Sequence, residues 1–163
     1  MQTKKLTFSA LLVALGTIAG NLIYIPVGAA KCFPVQHTIN VLSAVLLGPW
    51  YGTAIAFLIS LLRNILGTGS PLAFPGSMIG AFLAGIVYQK FGNKLYAVAG
   101  EIIGTGILGG LLAFPIAKLL LGKDIAAFYF IIPFLISTIG GSIIGYAILI
   151  LLERNYILRK FDV

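Results

Sequence analysis

The stretch LLRNILGTGS, residues 61–70, ends a long apolar run with an arginine and an asparagine, then breaks into Gly, Thr, Gly and Ser. The chain around it is 60% hydrophobic and only 9% charged, with mean hydropathy +1.07. A soluble domain carries roughly a quarter charged residues. This chain has too little polar surface to cover a globule in water. Its fold class is therefore all-α integral membrane protein, a single compact domain over residues 1–163. A β-barrel would alternate apolar and polar residues over about ten positions. AILILLE (147–153) and FYFIIPFLI (128–136) do not alternate.

Reading outward from Arg63, the apolar run that it closes begins at Trp50, just after a Gly48-Pro49 turn. Before that turn lie a short span, His37 to Gly48, and a first span, Leu6 to Ile25, closed by Pro26; VGAAKCFPVQ (27–36) connects them. After Arg63 comes the loop GTGSPLAFPGS (67–77), overlapping a span from Gly76 to Gln89. A basic turn, Lys90 to Lys94, leads to a span from Leu95 to Leu121. Gly122, Lys123 and Asp124 turn the chain into the last span, Ala126 to Leu152, and the tail ERNYILRKFDV is polar. Six transmembrane helices place both termini on one side. The start imitates a signal peptide, but its apolar run is long enough to span and further spans follow, so it reads as a retained helix.

The net charge is +7, from 11 basic and 4 acidic residues. The basic residues cluster at the ends of apolar runs, without the basic face or aromatic interleaving of a nucleic-acid binder. Lys4, Lys5, Lys90, Lys94, Arg154, Arg159 and Lys160 fall on one side, and Lys31, Arg63, Lys118 and Lys123 on the other. Positive charge concentrates on the cytoplasmic side of membrane proteins, so both termini are expected there, in a multi-pass protein of the cell membrane.

Ionisable and amide side chains inside a bilayer are costly and mark functional positions. Glu101 lies about two turns into the fifth span, with Thr105 one turn on. Gln36, His37 and Asn40 open the second span; His37 and Asn40 share a helix face. Arg63 and Asn64 end the third. These seven are the candidate ligand-binding residues, grouped under the outer loops. Arg63 and Glu101 could pair with each other or bracket a ligand; Arg63 could also order the loop. Phe33, Trp50, Tyr51 and Phe74 are candidate aromatic walls or interface anchors. Lys118 reads as a snorkelling interfacial lysine, Lys31 as a solvated loop residue. Ser137, Thr138 and Ser142 can bond their own helix backbone.

Several chemistries lack their residues. The chain has no GxxxxGK[ST] nucleotide loop, no GxSxG elbow, and one His with one Cys, too few for a metal site. No catalytic residue, metal or cofactor is expected. Small residues recur at spacing four, among them Ala10/Ala14, Gly76/Gly80/Ala84 and Gly100/Gly104, a pattern that lets helix backbones approach closely in lipid.

The segments KCFPVQHTINVLSAVLLGPWYG (31–52), SLLRNILGTGSPLAFPGSMIGA (60–81), GEIIGTGILGGLLAFPIAKLLLG (100–122) and FLISTIGGSIIG (134–145) resemble the ThiW family. Its members are S components of energy-coupling factor (ECF) transporters, assigned to the thiazole precursor of thiamin. The resemblance implies a six-helix membrane protein that captures hydroxyethylthiazole from outside. It implies as partners a transmembrane coupling protein and two ATPase subunits, with Ala10 and Ala14 as the coupling-protein docking strip. Rival readings of the residues are a stand-alone proton-coupled transporter with Glu101 as proton carrier, and a ligand-free structural subunit.

Overall fold

The computed structural model describes residues 2–27, 30–122 and 126–154, with Val27, Ala30 and Lys31 in backbone only. The Lys31 side chain, the Lys123–Asp124 turn, and Arg159 and Lys160 of the tail lie outside the described residues. Six helical rods form the fold: α1 (Gln2–Leu22), α2 (Pro34–Leu47), α3 (Pro49–Ile65), α4 (Ala73–Phe91), α5 (Lys94–Leu119) and α6 (Ile131–Arg154). They follow the six apolar runs with shifted ends. α2 starts three residues before His37 because Pro34, with φ already helical, takes the first turn. α6 starts at Ile131 rather than Ala126. The connection after α1 holds a small antiparallel ribbon, β1 (Ile25–Val27) and β2 (Ala30–Cys32), with Ile25 opposite Cys32. Three-residue strands are too short to show alternation.

Among the described residues three helices, α1, α5 and α6, are long and apolar enough to cross a membrane by length and composition. α2 has 14 residues. At about 1.5 Å per residue it falls short of a roughly 30 Å hydrocarbon core. Its position explains how it tolerates both that length and its polar residues. Every residue of α2 except Val35 is buried. Its apolar side chains, Ile39, Val41, Leu42, Val45 and Leu46, pack with Leu12, Val13, Ile55, Ile59 and Leu149 from the surrounding helices. Gln36, His37 and Asn40 therefore face protein.

Consecutive rods run antiparallel. Gly16 packs on Ile59 and Gly20 on Arg63, so α1 and α3 run parallel. Lys94 at the start of α5 meets Glu153 at the end of α6 at 2.6 Å. One end of the bundle thus carries Gln2, the Gly48 turn and Arg154. The other carries the ribbon and the loop after Arg63.

A close helix crossing joins α4 and α5. A Cβ on Gly104 would lie 2.6 Å from the Gly80 Cα, and one on Gly100 would lie 2.9 Å from the Ala84 backbone nitrogen; Gly109 meets Gly76 in the same way. The contact residues are four and four apart on α4, but four and five apart on α5. Residues Ile102–Gly109 are π-helical. The wider turn inserts one residue, which keeps Gly109 opposite Gly76. Since the facing atoms are backbone, a methyl at Gly104 can be accommodated only by separating the helices. Gly104→Ala is expected to destabilise by about 1–3 kcal/mol, read as a lowered thermal midpoint in detergent.

Candidate functional site

The loop after α3 folds back onto the residue that precedes it. Gly67 takes φ +71°, a left-handed conformation suited to glycine, and the backbone N–H groups of Thr68 and Gly69 donate to the Arg63 carbonyl at 2.9 and 2.8 Å. Gly69 sits against Asn64, where a Cβ would lie 2.9 Å from the Asn64 nitrogen. The Gly-Thr-Gly sequence therefore closes the helix over Arg63.

The Arg63 side chain points inward and is 2% exposed. Its Cζ lies 4.0 Å from the Phe33 ring centroid, and Gly20 covers it from α1. Nη1 donates to Gln36 Oε1 at 2.8 Å, Nε to Asn21 Oδ1 at 3.3 Å, and Nη2 to the Thr68 carbonyl at 3.3 Å. A guanidinium has five N–H donors, so three bonds leave two. Gln36 passes the network on, its Nε2 donating to Ser60 Oγ at 2.8 Å, and Ser60 meets Ser77 at 3.0 Å. Among the described residues no carboxylate pairs with Arg63. The expected pairing with Glu101 is thus not made; the alternative, that Arg63 orders the loop, is what the Thr68 bond and the carbonyl bonds describe.

Glu101 has other partners. It is fully buried. Its Oε1 lies 3.0 Å from His37 Nδ1, 3.0 Å from Asn40 Nδ2 and 2.9 Å from Thr105 Oγ1. Asn40 Nδ2 also donates to the Ser77 carbonyl at 3.2 Å. Gly80 makes room for the group, since a Cβ there would lie 2.5 Å from Glu101 Oε2. Glu101 turns toward α2 at the point where the π-helical segment begins, while Thr105, four on, donates to the Gly76 carbonyl of α4 at 3.0 Å.

Between these two clusters, at the ribbon end of the bundle, lies a cavity of about 650 Å³, within the usual range for small-molecule sites. Of the seven residues singled out from sequence, Gln36, His37, Arg63 and Thr105 line it. Glu101 bonds His37 from outside the wall, and Asn40 in turn bonds Glu101. Asn64 is not on the wall; its Nδ2 bonds the Ser60 carbonyl of its own helix at 2.8 Å. Of the expected aromatic walls only Phe33 takes part. Trp50 and Tyr51 belong to the opposite end of the bundle, Trp50 being 75% exposed, and Phe74 packs on Phe57 at 5.7 Å between centroids. The remaining aromatic wall is Tyr24, Tyr129, Phe130 and Phe134. Asn21 and Ser77 also line the cavity unannounced, and Ser137 lines it while accepting the Phe33 backbone N–H at 2.9 Å. A polar residue in the last turn of an apolar helix, as Asn21 is, was the available signal. Lys118 is exposed and lies outside the cavity.

Cys32 joins β2 to α6, its Sγ donating to the Pro133 carbonyl at 3.2 Å. Burial raises its thiol above the ordinary value. Less thiolate at neutral pH and no access together predict that a water-soluble maleimide labels it only after unfolding, as checked by mass spectrometry with and without denaturant.

The model of the thiamine-precursor transporter protein family, ThiW, matches residues 6–155. The chain belongs to the ThiW family. This is a family of transporters and not of enzymes, in keeping with a membrane protein whose buried polar groups surround a cavity. Among solved structures the fold is similar to one described as "Structure and mechanism of the S component of a bacterial ECF transporter", with TM-score 0.73 and 20% identity, covering 96% of this chain and 97% of that one. The ThiW-family chain therefore has the S-component fold. No curated protein sequence matches it.

Proposed function

We propose that this chain is the substrate-capture subunit of an ECF transporter, taking up the thiamin precursor hydroxyethylthiazole for ATP-driven import by a shared energising module. The observation that carries this reading is the cavity itself: a chamber lined by aromatic rings and by Arg63, Gln36, Asn21, His37 and Thr105. The flat thiazole ring stacks on the aromatic wall. Its ring nitrogen and hydroxyl find partners among Gln36, His37, Arg63 and Thr105, with Asn40 and Glu101 supporting from behind.

On this reading all six helices reside in the cell membrane, the cavity opens outward and both termini are cytoplasmic. The ATPases are separate chains, since this one has no nucleotide loop. Ala10 and Ala14 are exposed on α1, which leaves that small-residue strip available for the coupling protein. The test is uptake of labelled hydroxyethylthiazole into proteoliposomes. The chain alone is expected to bind without accumulating it, and accumulation is expected only with the coupling protein, both ATPases and ATP. Accumulation by the chain alone, abolished by a protonophore, would contradict the proposal and favour a proton-coupled carrier.

A further inference from the structure

We infer that His37 reads the hydroxyl proton of the ligand, as an acceptor whose tautomer Glu101 sets, so that the site takes free alcohols and rejects their O-substituted forms. This rests on the capture reading above. The Ser77 carbonyl can only accept, so the Asn40 atom 3.2 Å from it is the amide nitrogen. The second hydrogen of that nitrogen points to Glu101 Oε1 at 3.0 Å, which makes Oε1 an acceptor. The same oxygen lies 3.0 Å from His37 Nδ1. With Glu101 as a carboxylate, which only accepts, Nδ1 carries the hydrogen and donates it. In a neutral imidazole one nitrogen donates and the other accepts, so Nε2 presents a lone pair. Nε2 has no partner among the described residues, and His37 is on the cavity wall.

An acceptor there needs a donor. Of the polar side chains on the wall, Arg63 gives the opposite polarity, with two N–H donors beyond its three bonds. The site thus offers an unpaired imidazole acceptor and, at Arg63, unpaired donors. A hydroxyl at Nε2 and a ring nitrogen or similar acceptor at Arg63 would satisfy both. A site that bonds a substrate hydroxyl rejects analogues lacking it far more strongly than a purely apolar pocket rejects an extra methyl, because its own polar group is left unpaired. The volume of about 650 Å³ leaves room for a methyl group, so discrimination would come from the missing proton and not from size. Glu101 acts through His37 and is a positioning residue.

The experiment compares equilibrium binding of hydroxyethylthiazole, its O-methyl ether and the analogue with a plain ethyl chain to the purified full chain in detergent. The alcohol is expected to bind at least about tenfold more tightly than either analogue, within the range set by leaving a buried acceptor unpaired. His37→Phe is expected to bring the alcohol-to-ether ratio close to one; a residue with a merely structural role would lower both affinities and leave the ratio. Glu101→Gln, whose amide oxygen the Asn40 N–H still holds, is expected to keep the preference. Equal binding of alcohol and ether by the unmodified chain overturns this inference and leaves the capture reading standing. Absence of binding by the alcohol overturns both. Loss of the preference in Glu101→Gln overturns the role given to Glu101.

Discussion

Arg63→Met is expected to abolish measurable capture of hydroxyethylthiazole and to lower the thermal midpoint of the empty protein. The substitution keeps an unbranched apolar stem against Phe33 but removes every donor. Gln36 Oε1, Asn21 Oδ1 and the Thr68 carbonyl each lose a bond that the guanidinium makes. A buried acceptor left without a partner costs about 1–3 kcal/mol. The effect on binding is separate from the effect on stability, because the donors that face the cavity disappear as well. Arg63→Lys distinguishes charge from geometry. Lysine keeps the charge but is a point donor without the planar fork that stacks on Phe33 and reaches three acceptors, so it is expected to recover little of the affinity. The check is equilibrium binding beside thermal unfolding for each variant. An Arg63→Met protein that binds with unchanged affinity would remove Arg63 from the site.

Glu101→Leu is expected to lower stability far more than Glu101→Gln does. His37 Nδ1–H and one Asn40 N–H converge on Glu101 Oε1 in a fully buried place. Each buried donor left without a partner costs about 1–3 kcal/mol. Glu101→Gln retains an oxygen for both donors and is expected to cost a fraction of that. The comparison is made by unfolding in detergent under identical conditions. A Glu101→Leu protein as stable as Glu101→Gln would show that the converging donors contribute nothing.

Much of this was legible before any coordinates. The six runs, the loop after Arg63 and four residues of the cavity wall follow from hydropathy, turn residues and the cost of polar groups in lipid. The pairing within the polar set was not legible. Arg63 and Glu101 are the two charges deepest in apolar runs, and pairing them is the natural expectation from sequence. Which helix lies between them depends on packing. α2 is the buried central rod, so His37 and Asn40 reach Glu101, while Gln36, one position earlier, reaches Arg63. Asn64 misled because a polar residue in a last helical turn either faces a site or bonds its own backbone, and sequence alone offers no sign of which. Trp50 and Tyr51 follow a turn at the end of the bundle opposite the cavity, which the alternating direction of the helices already implied. The π-helical turn in α5 had a faint trace, the spacing of five between Gly104 and Gly109, readable only once α4 supplies the facing spacing of four.

The most direct measurement is the thermal midpoint of the purified protein in detergent with hydroxyethylthiazole, with thiamin, and with neither. A ligand at a hundred times its dissociation constant stabilises by about 2.7 kcal/mol. The account predicts a clear rise with the thiazole alcohol and a smaller rise or none with thiamin. No rise with the alcohol, at concentrations up to its solubility, would contradict capture of that precursor in this cavity.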